Sequence, residues 1–332
     1  MRRILARTVI ILLIAAAVAA AAAAYQWGRQ AFERPGPSRE EVIVMLPHGI
    51  GLDELAQRLA KAGVVDRWWV FALGVRAAGE ARSLRAGEYA FKPAISAKGI
   101  MAILLGGRTV QHRLTIPEGL TNRQTLAMIA GAANLVGETG EVSGEGTLMP
   151  ETYYFSRGDE RREIADRMRR AMDTALAELW VDRAEGLPLA SPDEARVLAS
   201  IVERETALAD EQRHVAGVFI NRLNRGMRLQ ADATVIYAIA GPDGAMDRPL
   251  TRTDLDVDSP YNTYRVTGLP PTPIANPGRA AIAAVLDPLP TKDIYFVADG
   301  TGGHAFAETL AEHNRNVAKW RKIQRNRKQQ TE

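Results

Sequence analysis

The sequence predicts an α+β chain carried on an N-terminal apolar helix. Three observations predict it. An uncharged run stands near the start, a strand–turn–helix pattern occurs twice, and a strongly capped helix in the C-terminal half is followed by short β-like stretches. At 332 residues two or three folding units are expected. With 46% apolar and 24% charged residues, sizeable cores are possible. The balance of 42 basic and 39 acidic residues, formally +3, gives no reason to expect nucleic acid. Cysteine is absent, which excludes disulfides, thiolate catalysis and cysteine-ligated zinc.

Arg2, Arg3 and Arg7 precede the uncharged run TVIILLIAAAVAAAAAAY, residues 8–25. As a helix it reaches about 27 Å, close to the roughly 30 Å hydrocarbon core. Arginines before the run favour a cytoplasmic N-terminus with the remainder exported. A cleaved signal peptide competes with this reading, but the run exceeds the ~7–15 residues of a usual signal core, so a retained anchor is expected. Residues 1–7 are then a cytoplasmic tail, 8–25 the transmembrane anchor, and the polar 26–40, with two prolines and no periodicity, a linker.

VIVML reads as a strand that meets Pro47 and Gly49, followed by a helix with Leu52, Leu55, Ala56 and Leu59 on one face and Gly63 at its C-cap. HRLTI, Pro117, Gly119 and TNRQTLAMIAGAANL repeat the pattern, which defines two small α/β regions, 41–107 and 108–185. DRWWVFALG reads as a buried helix packing two tryptophans, SLRAGEYAF as a strand, and 160–180 as a charged amphipathic helix. In the third region, 186–325, Ser191 can N-cap a helix with Pro192 at its first position and Glu194 completing a capping box. A second helix covers 211–226. Short β-like stretches are expected at 234–239, 264–267 and 293–298, with a helix at GRAAIAAVL and another near the C-terminus. Residues 326–332 read as a solvated basic tail.

The candidate chemistry centres on LASIVERETA, 198–207, where Glu203 and Glu205 interrupt an apolar run. At about 100° per residue, Leu198, Ile201 and Val202 define an apolar stripe; Glu205 falls within about 20° of its centre and Glu203 about 140° away. Spacing nominates Glu205 as an inward, structural carboxyl and gives Glu203 a face of small and polar residues. It does not decide between them. His304, Glu308, Glu312 and His313 are the competing metal set, but the glycines before His304 and the strand-like IYFVAD place that histidine in a turn, and no H-E-x-x-H occurs. No G-x-S-x-G, P-loop or dinucleotide fingerprint is present. Gln230, Asp232, Thr234 and Tyr237, with Tyr261, Asn262, Thr263 and Tyr264, supply the amide, hydroxyl and aromatic groups a saccharide needs, though Asn, Thr and Pro also build loops.

LASIVERET, VFINRLNRGMRLQADATVIYA, YNTYRVTGLPPTPIANPG and YFVADGTGGHAFAETLAEHN resemble, in order, the motifs of the MltG (YceG-like) family of endolytic murein transglycosylases. GTLMPETYYF, the two P-x-G regions and the N-terminal anchor fit as well, so the likeness runs from residue 41 to about 320. Ala233 departs from the family's usual proline. The resemblance implies a LysM-like module at 41–107 and a catalytic domain at 186–325. It carries the catalytic glutamate over to Glu203 and substrate contacts to Gln230, Asp232, Tyr261, Asn262 and Tyr264. It implies cleavage between MurNAc and GlcNAc within nascent strands, giving 1,6-anhydroMurNAc ends, with no metal or organic cofactor. Such an acid needs a pKa raised toward neutrality, so Arg196 and Arg204 are expected to point away. The implied place is the inner membrane with a periplasmic body, and the implied partners are peptidoglycan strands and synthases. A non-catalytic peptidoglycan-binding scaffold and a hydrolytic muramidase using Asp232 as second acid are the alternatives.

Overall fold

The computed structural model describes residues 2–331, and within the helical ends the side chains of 2–6, 328, 330 and 331 lie outside what is described. The chain is a mixed α+β structure that divides into two compact units. One runs through His112 and includes Phe155–Arg157; the other comprises Arg113–Tyr154 and everything from Gly158 onward.

The first unit opens with α1 (Arg2–Glu33). Its apolar run is exposed on every face. It is the one described helix long and apolar enough to cross a membrane. Helix α1 continues through Glu33, so the first part of the expected 26–40 linker is helical. The reason is packing: the Phe32 ring fills the space where Gly74 lacks a side chain and lies 6.4 Å from the Phe71 ring. Strands β1 (Val42–Leu46) and β2 (Gly87–Phe91) pair antiparallel, Val42 opposite Phe91 and Leu46 opposite Gly87. Between them lie α2 (Leu52–Lys61) and α3 (Trp68–Ala77), and α4 (Ala97–Gly106) follows. Helix α2 buries Leu55, Ala56 and Leu59 as its periodicity requires, and Gly63 ends it in a left-handed conformation, φ 72°. The core is Leu46, Leu59, Phe71, Tyr89, Phe91, Ile100 and Leu104. The two tryptophans of α3 are not in it: Phe71, Ala72 and Val75 are the buried face, and Trp68 and Trp69 stay exposed.

The P-x-G pattern returns in β3 (His112–Thr115) and α5 (Asn122–Gly131), whose Thr121 and Gln124 form a complete capping box. Strand β3 pairs with β4 (Thr152–Phe155), and α6 (Arg161–Val181) follows. From Arg113 to Tyr154 and from Gly158 on, residues of the expected second region pack with those of the third and make no unit of their own. The reason is a shared core, in which Met149, Met172 and Leu176 join the helices after residue 186. These are α7 (Pro192–Glu205), α8 (Ala209–Asn224), α9 (Asp232–Ala240) and α10 (Arg279–Leu286). Leu198, Ile201 and Val202 of α7 meet Val215, Ala216 and Phe219 of α8 and Ile282 and Val285 of α10 in that core. Strands β5 (Tyr295–Ala298) and β6 (His304–Ala307) form an antiparallel hairpin, and α11 (Leu310–Thr331) follows. Three local expectations change. Residues 234–239 are helical, 264–267 form a turn, and His304 begins a strand, paired with Ala298.

Candidate active site

Ser191 starts α7 as the spacing requires, accepting the Glu194 N–H at 3.2 Å. The Glu194 carboxyl reaches one residue further back than a standard capping box and takes the Ala190 N–H at 2.7 Å. The helix ends at Glu205 because Thr206 turns extended, φ −141°. Its last turn therefore holds both glutamates, about 200° apart around the axis.

Glu203 faces the second P-x-G turn. Its Oε2 accepts the Gly278 N–H at 3.0 Å, and Gly119 lies against its Cγ. A side chain at Gly278 would push the Glu118 carboxyl aside. Burial pushes Glu203 up to about 7; Glu118 adds to the rise, while the Gly278 amide and Arg204 oppose it. Arg196 points away, paired with Asp193 at 2.8 Å. Arg204 does not leave: it donates to the Gly119 carbonyl at 3.1 Å and still acts on Glu203.

Glu205 sits differently. Its Oε1 is sealed from solvent with no hydrogen-bond partner among the described residues. Burial pushes its carboxyl up to about 8, Asp232 raises it further, and Arg222 and Arg204 oppose the shift. It lines a cavity of about 310 Å³ with Arg222, Gln230, Asp232, Tyr264, Phe296 and His304 among the walls. An adjoining cavity of about 330 Å³, toward Gly302 and Trp320, shares Glu205, Ala298 and His304.

The walls are held from behind. Arg222 is buried and spends its guanidinium on the carbonyls of Ile294 and Leu229, at 2.7 Å each. Asp232 accepts the Tyr264 O–H at 2.6 Å. Gln230 takes a left-handed backbone, φ 53°, fixed by its N–H to the Thr263 carbonyl at 3.1 Å. Thr234 and Thr263 are fully buried, 2.8 Å apart, and stitch the 230 loop to the 263 loop. His304 is oriented by Glu211, which meets its Nδ1 at 2.7 Å and accepts its backbone N–H at 2.9 Å.

Of the residues expected to touch substrate, Gln230, Asp232 and Tyr264 come together at Glu205. The Tyr261 ring packs against Tyr237 at 5.0 Å, tilted by 55°, and its hydroxyl shares a hydrogen bond with Thr272. Asn262 is 0% exposed, and its amide donates to the Leu255 and Val257 carbonyls at 2.9 and 2.8 Å. It shapes its loop and offers a saccharide no surface. Arg222, Phe296 and His304 were not expected at the site, and only His304 carried a signal, as a metal candidate. Glu203 points to the other side of the helix.

A mixed α+β chain that gathers two neighbouring carboxyls, one desolvated and one hydrogen-bonded, at a polar cavity has the parts that general acid–base chemistry uses. The chain belongs to the YceG-like family, whose profile matches residues 44–319. A protein of Bacillus subtilis (strain 168) named endolytic murein transglycosylase is 31% identical, the match covering 90% of each chain. A protein of Streptococcus pneumoniae (strain ATCC BAA-255 / R6) bearing the same name is 30% identical over 85% of this chain, which spans 58% of that relative's length. A crystal structure of a yceG-like protein from Listeria monocytogenes shares the fold, with TM-score 0.51 and 30% identity over 84% of this chain and 99% of that one.

Proposed function

We propose that this chain is an endolytic peptidoglycan lytic transglycosylase in which Glu205 is the proton donor and acceptor. The observation that carries the residue assignment is that Glu205, whose Oε1 is buried without a partner among the described residues, lines the cavity shared with Asp232, Gln230 and Tyr264. The names of the relatives supply the reaction class.

Glu205, raised to about 8, is protonated at neutral pH. It gives its proton to the oxygen linking MurNAc C1 to GlcNAc, and that C–O bond breaks with the electron pair leaving on oxygen. The C6 hydroxyl of the same MurNAc then bonds to C1 and surrenders its proton to the Glu205 carboxylate, which restores the acid. No water enters, and the product end is 1,6-anhydroMurNAc. Intramolecular attack gains from proximity. Asp232, kept in place by the Tyr264 hydroxyl, contributes negative charge that both holds the Glu205 proton and favours positive charge developing at C1. In this reading Glu203, bonded to the Gly278 amide, fastens α7 to the 273–278 loop.

The remaining parts follow from the same proposal. Residues 41–107 act as a LysM-like glycan-binding module, supported by the separate β1–α2–α3–β2 core. Residues 8–25 act as a retained anchor that places the body outside the inner membrane, where strands are made by the synthases with which the enzyme works.

Digestion of purified sacculi by the intact chain, Glu205→Gln and Glu203→Gln, followed by mass spectrometry, tests the scheme. Expected are anhydro ends from the intact chain and from Glu203→Gln, and none from Glu205→Gln. Reducing ends would replace cyclisation by hydrolysis with Asp232 as the second carboxyl. No cleavage by the intact chain would leave the binding scaffold. An active Glu205→Gln beside an inactive Glu203→Gln would return the role to Glu203.

A further inference from the structure

We propose that Trp27, Arg67, Trp68 and Trp69 form a foot that stands in the headgroup layer of the phospholipid bilayer, so that the first unit rests on the membrane surface. The inference rests on the reading of α1 as a retained anchor. The uncharged run ends at Tyr25, and Trp27 lies two residues, about 3 Å of helix rise, beyond it. That is the depth at which indoles accumulate, because the ring is apolar and its N–H is not.

Trp27 does not stand alone there. Its ring stacks on Trp69 at 5.7 Å with 23° between the planes. The Arg67 guanidinium lies over both rings, 5.8 Å from Trp27 and 6.0 Å from Trp69. All three indoles remain open, Trp27 at 46% and Trp68 and Trp69 at 38% each. Water gives such a group of rings nothing; the headgroup layer gives them hydrocarbon and hydrogen-bonding partners together, and gives Arg67 phosphate oxygens that match its fork.

The direction of α3 fits the same placement. Trp69 meets Trp27, whereas Gly74 meets Phe32, five residues further along α1. Helix α3 therefore rises beside α1 with its first turn nearest the apolar run. The joint is also tied: Lys98 pairs with Glu33 at 3.0 Å and Arg34 with Asp66 at 2.8 Å. With α1 across a bilayer, the first turn of α3 has no freedom to stay clear of the lipid.

The test uses the full-length chain in nanodiscs of phosphatidylethanolamine and phosphatidylglycerol. In the variant with Trp27, Trp180 and Trp320 changed to Phe, only Trp68 and Trp69 fluoresce. Lipid brominated near the headgroup should lower their emission about twofold, more than lipid brominated near the chain ends, and iodide in the water should quench little. Arg67→Glu should reduce the bromolipid effect and leave thermal unfolding unchanged. If the chain enters nanodiscs but the two indoles remain open to iodide and blind to brominated lipid, the foot is wrong and the anchor stands. Shielding from iodide without bromolipid quenching points to a protein contact and overturns the foot as well. A chain that does not enter nanodiscs at all removes the anchor and the foot together. Should the triple variant misfold, the unsubstituted chain decides: quenching confined to one of its five tryptophans is what an anchor without a foot gives.

Discussion

The last turn of α7 carries two glutamates two positions apart in one short motif, and the two sides of that turn are different environments. On one side Glu203 has a hydrogen-bond donor at 3.0 Å, Gly119 against its stem and a carboxyl neighbour in Glu118. On the other, Glu205 keeps one oxygen sealed with no partner among the described residues, and the residue lines a cavity. Both carboxyls are pushed up, mainly by burial. The difference teaches that a raised pKa does not by itself identify an acid catalyst. A protonated carboxyl also needs an open place where another atom can receive its proton, and of these two faces the described cavities open on that of Glu205.

The comparison breaks most sharply on rate. Glu205→Gln should lower anhydromuropeptide release about 10²–10⁴-fold, the range usual for a lost general acid–base group, while Glu203→Gln keeps most of it. A next, smaller effect belongs to Asp232→Asn. Removing that charge lowers the Glu205 pKa, so the alkaline limb of the activity profile should move to lower pH, with turnover falling about tenfold. A profile that stays in place would uncouple the two groups. Asn262→Ala should cost about 1 kcal/mol in urea unfolding, since the part-buried Leu255 and Val257 carbonyls lose their donors, with activity per folded molecule little changed. Loss of affinity without loss of stability would make Asn262 a substrate contact after all.

A further effect is on stability against pH. Both glutamates hold protons in the folded chain at pH values where the unfolded chain, near 4.5, has released them. The folded state thus binds more protons, and stability falls as pH rises through about 7 and about 8. Glu205→Gln should raise Tm near pH 9 and do little near pH 4, and Glu203→Gln should do the same more weakly. Calorimetry at the two pH values checks both.

Much of the local structure was legible because it is written in neighbouring residues. Thr121 and Gln124, Ser191 and Pro192, and the Leu55–Ala56–Leu59 face all announce their helices within one or two turns. Helix α9 was not legible: ATVIYA is β-branched and aromatic, and its packing against α7 overrides that propensity. The exposed Trp68 and Trp69 were misread because tryptophan in an apolar run usually marks a core. The site shows the same division. The helical wheel placed Glu205 inward, correctly, but inward was equated with packed. The cavity that separates those two meanings is built by Arg222, Gln230, Phe296 and His304, which come from four separate stretches of chain. No spacing rule within LASIVERETA reports it.

With α1 as the anchor proposed above, the contact of Phe32 with the notch at Gly74 sets its mechanics. A flexible leash would let the β1–α2–α3–β2 body wander through a hemisphere of solution. A helix that runs unbroken into a filled notch transmits every tilt of its lower half to that body, which then sweeps a narrow cone at nearly constant height. On the proposed function, glycan strands at that height would be met often and those further out scarcely at all, a selection made by stiffness with no specific contact to the sugar.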